Sequence, residues 1–173
     1  KIRKVYEANG ASCDSLIMGE HGILTRELER TRATILHVTP FHSFPSGITA
    51  SASKRAEYIR WAVKRNGIIV EDDYDSEFTL STKVEDTIFN MAPEGHVIYI
   101  NSFARTIAPS IRIAYMIIPH QLMGLYRQRI SFYSCAVPVY EQLVLAEFIR
   151  SGDFERRINK VRRKLRKQME GKK

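Results

Sequence analysis

Long apolar runs are missing from this 173-residue chain: nothing approaches the ~20 consecutive apolar residues that cross a bilayer, which excludes a helical membrane span. Cysteine is scarce. Cys13 and Cys135 could form at most one bridge and stand in no metal-ligating spacing, which excludes a disulfide-stapled scaffold and fits a reducing compartment, the cytoplasm being the expected location. The chain has no initiating Met, no apolar leader and no cleavage site, so it reads as a piece of something longer and not as a secreted precursor. Internal repeats, low-complexity segments and a glycine-rich phosphate loop are also absent. What remains is ordinary globular composition, 44% hydrophobic and 27% charged, long enough to bury a core unaided.

The net charge of +8 is unevenly placed. Residues 154–173 hold ten Lys/Arg against Glu155 and Glu170, leaving 17 residues of each sign in the rest of the chain. Such a basic tail suits phosphate contact, but Phe154, Ile158, Val161, Leu165 and Met169 recur along it at helical spacing. The expected element is an amphipathic helix whose charges form a solvated face, with a nucleic-acid-binding arm as the rival reading.

Upstream, strands and helices alternate. The spacing predicts strands at 15–18, 33–38, 68–71, 97–101 and 111–118. Helices are expected at 1–9, 25–31, 53–67 with Ser53 as its cap, 120–133, and from Pro138 to residue 150; Asp153 would cap the basic one. Residues 76–94 show no clean period and read as an irregular connection. Strands separated by helices imply βαβ units, hence a three-layer α/β/α sandwich with a mainly parallel sheet.

Ligands of such sheets sit beyond the carboxyl ends of the strands, so the residues there are the candidates for chemistry. The loop 39–47 carries two prolines, a glycine and His42. Residues 71–75 read Glu71-Asp72-Asp73-Tyr74-Asp75, four carboxylates in five positions, a density that calls for a cation or a cationic ring nearby, or else a solvated loop with one acid capping a helix. Mg²⁺ is an alternative for paired acids after a strand. Residues 102–112 offer the hydroxyls of Ser102, Thr106 and Ser110, followed by the guanidinium of Arg112. Hydroxyls and a forked guanidinium suit a phosphate dianion, and together with the acids they describe a ligand bearing phosphate at one end and a protonatable nitrogen at the other. Pyridoxal phosphate has that layout.

These residues carry a resemblance. Val38-Thr39-Pro40-Phe41-His42-Ser43-Phe44-Pro45-Ser46-Gly47, Glu71-Asp72-Asp73-Tyr74-Asp75-Ser76-Glu77-Phe78 and the stretch 103–115 follow one another as in the aminotransferase-like domain of MocR-type (GabR-like, GntR family) bacterial transcription regulators. That domain is a fold type I pyridoxal-phosphate protein. The resemblance runs from Lys1 to about Met169. It implies that residues 1–152 are the central part of the large domain, and that 153–173 lead towards a small domain outside this chain. It further implies that Asp72 pairs with the pyridine nitrogen, Tyr74 with the ring hydroxyl, and Ser102 and Arg112 with the phosphate. By the same resemblance the full-length protein is a homodimer that senses an amino-acid-like effector and binds DNA through a domain not present here.

One departure stands out. Arg105 occupies the family's Schiff-base lysine position, and a guanidinium cannot replace an amine as nucleophile or proton shuttle. A covalent aldimine through Arg105 is not possible; Lys54, Lys64 and Lys83 have no claim to replace it. The expectation is therefore a cofactor-binding sensor without transaminase activity, the alternative being a class I/II aminotransferase acting on amino acids.

Overall fold

Four short runs, ILHV, IIVEDD, VIYINS and AYMI, form one sheet, and the segments between them supply the helices that cover it. The computed structural model describes residues 1–73, 76–78, 85–92 and 95–170. In chain order, α1 (Ile2–Ala8) leads to a small antiparallel hairpin of β1 (Met18–Gly19) and β2 (Gly22–Ile23), then α2 (Thr25–Arg30). The sheet strands β3 (Ile35–Val38) and β4 (Ile68–Asp73) flank α3 (Ala52–Arg65). A 3₁₀ turn (Ser76–Phe78) and α4 (Ile88–Met91) precede β5 (Val97–Ser102), α5 (Phe103–Thr106) and β6 (Ala114–Ile117). A 3₁₀ turn (His120–Leu122), α6 (Met123–Ile130), α7 (Val139–Arg150) and α8 (Asp153–Glu170) complete the fold.

Strand order is β3-β4-β5-β6, with β3, β4 and β5 parallel and β6 antiparallel. The expected α/β class with a mainly parallel sheet is what the chain adopts. Several local expectations change. The strand expected at 15–18 gives way to the hairpin β1–β2, and that expected at 111–118 is limited to Ala114–Ile117. Helix α4 forms within the connection expected to be irregular, and Asp153 is the first residue of α8 and not its cap. Ser51, not Ser53, caps α3, its hydroxyl accepting from the Lys54 amide. The strand expected to stop at Glu71 runs on to Asp73, since its acids find donors supplied by distant segments.

The helix α3 ends because Asn66 takes left-handed backbone (φ 47°) and Gly67 then passes so close to Thr34 that a Cβ would lie 2.6 Å from its carbonyl oxygen. That turn delivers Ile68 directly beside Ile35 of β3. Tyr58, Trp61 and Ala62 of α3 pack with Leu36, Val38, Ile69, Val97 and Ile88 as the core, all on one sheet face. Trp61 Nε1 donates to the Leu28 carbonyl, and Arg65 bonds the carbonyls of Leu28, Glu29 and Thr31, which ties α2 to α3. The other sheet face is more open: Ile35 and Met116 are 55% and 44% exposed.

The basic helix α8 is less detached than a solvated arm. Phe154, Ile158, Val161 and Leu165 are half-buried, and the Phe154 ring meets Phe103 edge-on. Arg157 donates to the carbonyls of Thr106 and Ile107, and Arg162 to that of Glu77. Lys160, Arg163, Lys164 and Lys167 are exposed. The side chain of Met169 and residues 171–173 lie outside the described residues.

Candidate cofactor site at the carboxyl edge of the sheet

The acidic run is divided by the pleat of β4, because alternate side chains of a strand face opposite ways. Glu71 and Asp73 point to the helix-covered face and are almost wholly buried, while Asp72 points to the open face with its side chain 46% exposed. Both Glu71 oxygens accept backbone N–H groups at the start of α4, from Ile88 at 2.9 Å and Phe89 at 2.8 Å. Asp73 accepts from the Tyr99 hydroxyl at 2.6 Å and from the amide and hydroxyl of Ser76. Among the described acids, Glu71 and Asp73 are thus separated from Asp72 across the sheet and cap local turns. No group of three His, Cys, Asp or Glu among the described residues is placed to hold a metal.

Burial pushes the Glu71 carboxyl up from its ordinary 4.5 to about 7, against the pull of its two N–H donors and the Arg55 charge. A carboxyl whose pKa is raised on folding takes up a proton in the native state. Its contribution to stability is therefore complete below pH 4.5 and is lost as pH rises to about 7. The loss should be about 3 kcal/mol at most. Urea unfolding at pH 5 and pH 8 checks it: the wild type should lose more stability over this interval than Glu71→Gln, and parallel curves would refute the assignment.

On the open face, strand register sets the candidates side by side. Asp72 pairs with Ile100 on β5, and Ser102, two residues on and on the same face, pairs with Ala114 of β6. Ser102 ends β5 and is the N-cap of α5, its amide held at 2.6 Å by Asn101 Oδ1. Behind it Asn101 Nδ2 donates to Tyr99 Oη and Glu77 Oε1, a buried polar network that stiffens the strand end. Arg112 lies two residues before Ala114, in a segment anchored by the Phe103 amide donating to the Ile113 carbonyl, and is exposed. Arg105 is in α5, three residues after Ser102, and is exposed. Tyr74 lies outside the described residues, as do Asp75 and Lys83. His42 has left-handed backbone (φ 45°), and its amide donates to Thr49 Oγ1 in a loop closed by the Ser43–Ile48 bridge.

Sequence reasoning did not single out His37. It lies within the apolar run of β3, and its Nε2 is 3.6 Å from Asp72 Oδ2 while its Nδ1 is 2.9 Å from the Tyr6 hydroxyl. The arrangement at this edge offers an outward carboxylate backed by an imidazole, a strand-end hydroxyl, and two guanidinium groups in the connecting segments. Such a donor set is suited to a ligand that is anionic at one end and basic at the other.

No family model matches the chain. It is 34% identical over 167 residues to the HTH-type transcriptional regulator YhdI of Bacillus subtilis, covering 96% of this chain and 36% of that protein. It is 29% identical over 154 residues to the probable rhizopine catabolism regulatory protein MocR of Rhizobium meliloti, covering 89% of this chain and 31% of that one. This chain therefore spans about a third of the length of these regulators. Among solved structures, Pyrococcus horikoshii kynurenine aminotransferase, crystallised with PMP, superposes with a TM-score of 0.74 at 25% identity, over 84% of this chain and 38% of the enzyme. The aromatic aminotransferase Aro9 from C. albicans superposes with a TM-score of 0.82 at 16% identity, over 92% of this chain and 42% of its own.

Proposed function

Along nearly its whole length this chain is an aminotransferase-like fold segment related in sequence to MocR-type HTH regulators, and on that premise we propose that it is the pyridoxal-phosphate-binding, effector-sensing module of such a regulator. The observation that carries this reading is the placement of Asp72 and Ser102 on one open sheet face while the neighbouring acids turn inward. Asp72 would hold the pyridine nitrogen, Ser102 and Arg112 the phosphate, and Tyr74 the ring hydroxyl. When bound, pyridoxal phosphate supplies an electron-withdrawing pyridinium and an aldehyde that captures amines.

With the cofactor bound, the Asp72 carboxylate would keep a proton on the ring nitrogen and the Arg112 guanidinium would balance the phosphate charge. Arg105 adds positive charge but no nucleophile, so an amino-acid-like effector would meet an aldehyde not already committed to the chain. Differential affinity for two arrangements of the full-length homodimer would then alter DNA contacts made by a domain outside this chain. The rival reading, a class I/II aminotransferase, draws on the aminotransferase superpositions and would need a lysine where Arg105 stands.

Equilibrium binding tests the site directly. Asp72→Asn and Arg112→Ala should each weaken pyridoxal phosphate binding by about tenfold or more, equivalent to ~1.4 kcal/mol. Unchanged affinity in both variants would remove the cofactor from this edge of the sheet.

A further inference from the structure

We propose that His37 is a positioning residue for Asp72, locked in one tautomer by Tyr6. This rests on the reading that Asp72 meets a protonated ring nitrogen. His37 sits on β3 opposite Val70, and Asp72 is two residues further along β4 on the same face, so the imidazole comes up beside the carboxylate from the neighbouring strand. The His37 side chain is 19% exposed, and its ring is met edge-on by the Tyr6 ring at 5.7 Å between centroids. It is therefore held from one side by α1 and from the other by the sheet.

Proton inventory selects the tautomer. A carboxylate only accepts, so the nitrogen facing Asp72 Oδ2 is the one assigned the hydrogen, drawn by attraction to Oδ2. Nδ1 then has a bare lone pair, which the Tyr6 hydroxyl fills as donor at 2.9 Å. Burial, and next the charge of Asp72, push the Tyr6 phenol above its usual range, so it keeps its proton at neutral pH. At 3.6 Å the imidazole and carboxylate attract without a closed hydrogen bond. The effect is orientation: Oδ2 is drawn towards His37, so Oδ1 is the oxygen left for a ligand. A half-exposed Asp lacking this neighbour would sample other rotamers, and a cofactor would have to order it on binding.

Two measurements on this chain decide the matter. In the cofactor-free protein, NMR of the imidazole nitrogens should find His37 with hydrogen on Nε2, and Tyr6→Phe should mix the two tautomers; a wild-type mixture indifferent to Tyr6→Phe overturns the proposal. In titrations with pyridoxal phosphate, His37→Phe should weaken binding about fivefold, and His37→Gln, which keeps an N–H donor, should recover most of that. In an Asp72→Asn background His37→Phe should change nothing further. An equal loss in both backgrounds would make His37 merely structural. Weak binding by Asp72→Asn together with wild-type binding by His37→Phe defeats this inference alone; wild-type binding by Asp72→Asn defeats the cofactor assignment beneath it as well.

Discussion

Replacing Arg55 with alanine is expected to destabilise the chain by about 4 kcal/mol, read as a lower midpoint in urea with an unchanged slope. Arg55 is only 2% exposed, unusual for a residue carrying fixed charge. Its Nη1 donates to the Ala50 carbonyl at 2.6 Å and lies 2.8 Å from Glu85 Oε2, while its guanidinium stacks 5.1 Å from the centre of the Phe41 ring. Removal leaves a cavity against a wholly buried Phe41, an unmet buried carbonyl and a carboxylate without its cation. Arg55→Met keeps much of the volume over Phe41 and should recover about half of the loss, since a hydrophobic replacement of a buried ion often costs little. Because the Arg55 charge also pulls Glu71 down, either variant should move the pH-sensitive interval of Glu71 upward. Equal stability of Arg55→Ala and wild type would mean that Phe41 and Ala50 are held by other contacts.

Arg105→Lys should let position 105 hold pyridoxal phosphate covalently, which a guanidinium there does not allow. The effect is all-or-none, because an amine with a free lone pair condenses with an aldehyde and a guanidinium does not. Borohydride treatment after incubation with the cofactor, followed by proteolysis and mass spectrometry, should place a phosphopyridoxyl group on position 105 in the variant and none there in the wild type. The position suits the role: it follows the end of β5 by three residues and is exposed at the edge where Asp72 and Ser102 stand. An unlabelled lysine at 105 would mean that the pocket departs from an enzyme's in more than one side chain.

Why some of this was legible in the sequence and some was not comes down to the range of the interactions. The apolar runs at β3 and β5 and the 3.6-residue pattern of α3 are local signals, and each produced its element within a few residues. The end of β4 was missed because Glu71 and Asp73 look like loop residues until donors arrive from far along the chain: the amides of Ile88 and Phe89 and the hydroxyl of Tyr99. The same limit hid the partner of Asp72. A histidine between Leu36 and Val38 carries no local mark of its role, and Tyr6 lies 31 positions before it. The segments 71–75 and 102–112 could be named because the carboxyl ends of parallel strands converge by topology, whatever the loops between them do, while Asp72 and Ser102 within them came from the resemblance to MocR-type regulators.

The three carbonyls that receive Arg157 and Arg162 have a mechanical meaning. Thr106 and Ile107 belong to the turn after one site strand, and Glu77 to the turn after the other, so α8 is riveted to both rims at once. Peeling it away would strand acceptors on each side. A helix of 18 residues is about 27 Å long, which makes it a lever whose far end, when tilted, tugs on the very turns that border the carboxylate and the hydroxyl.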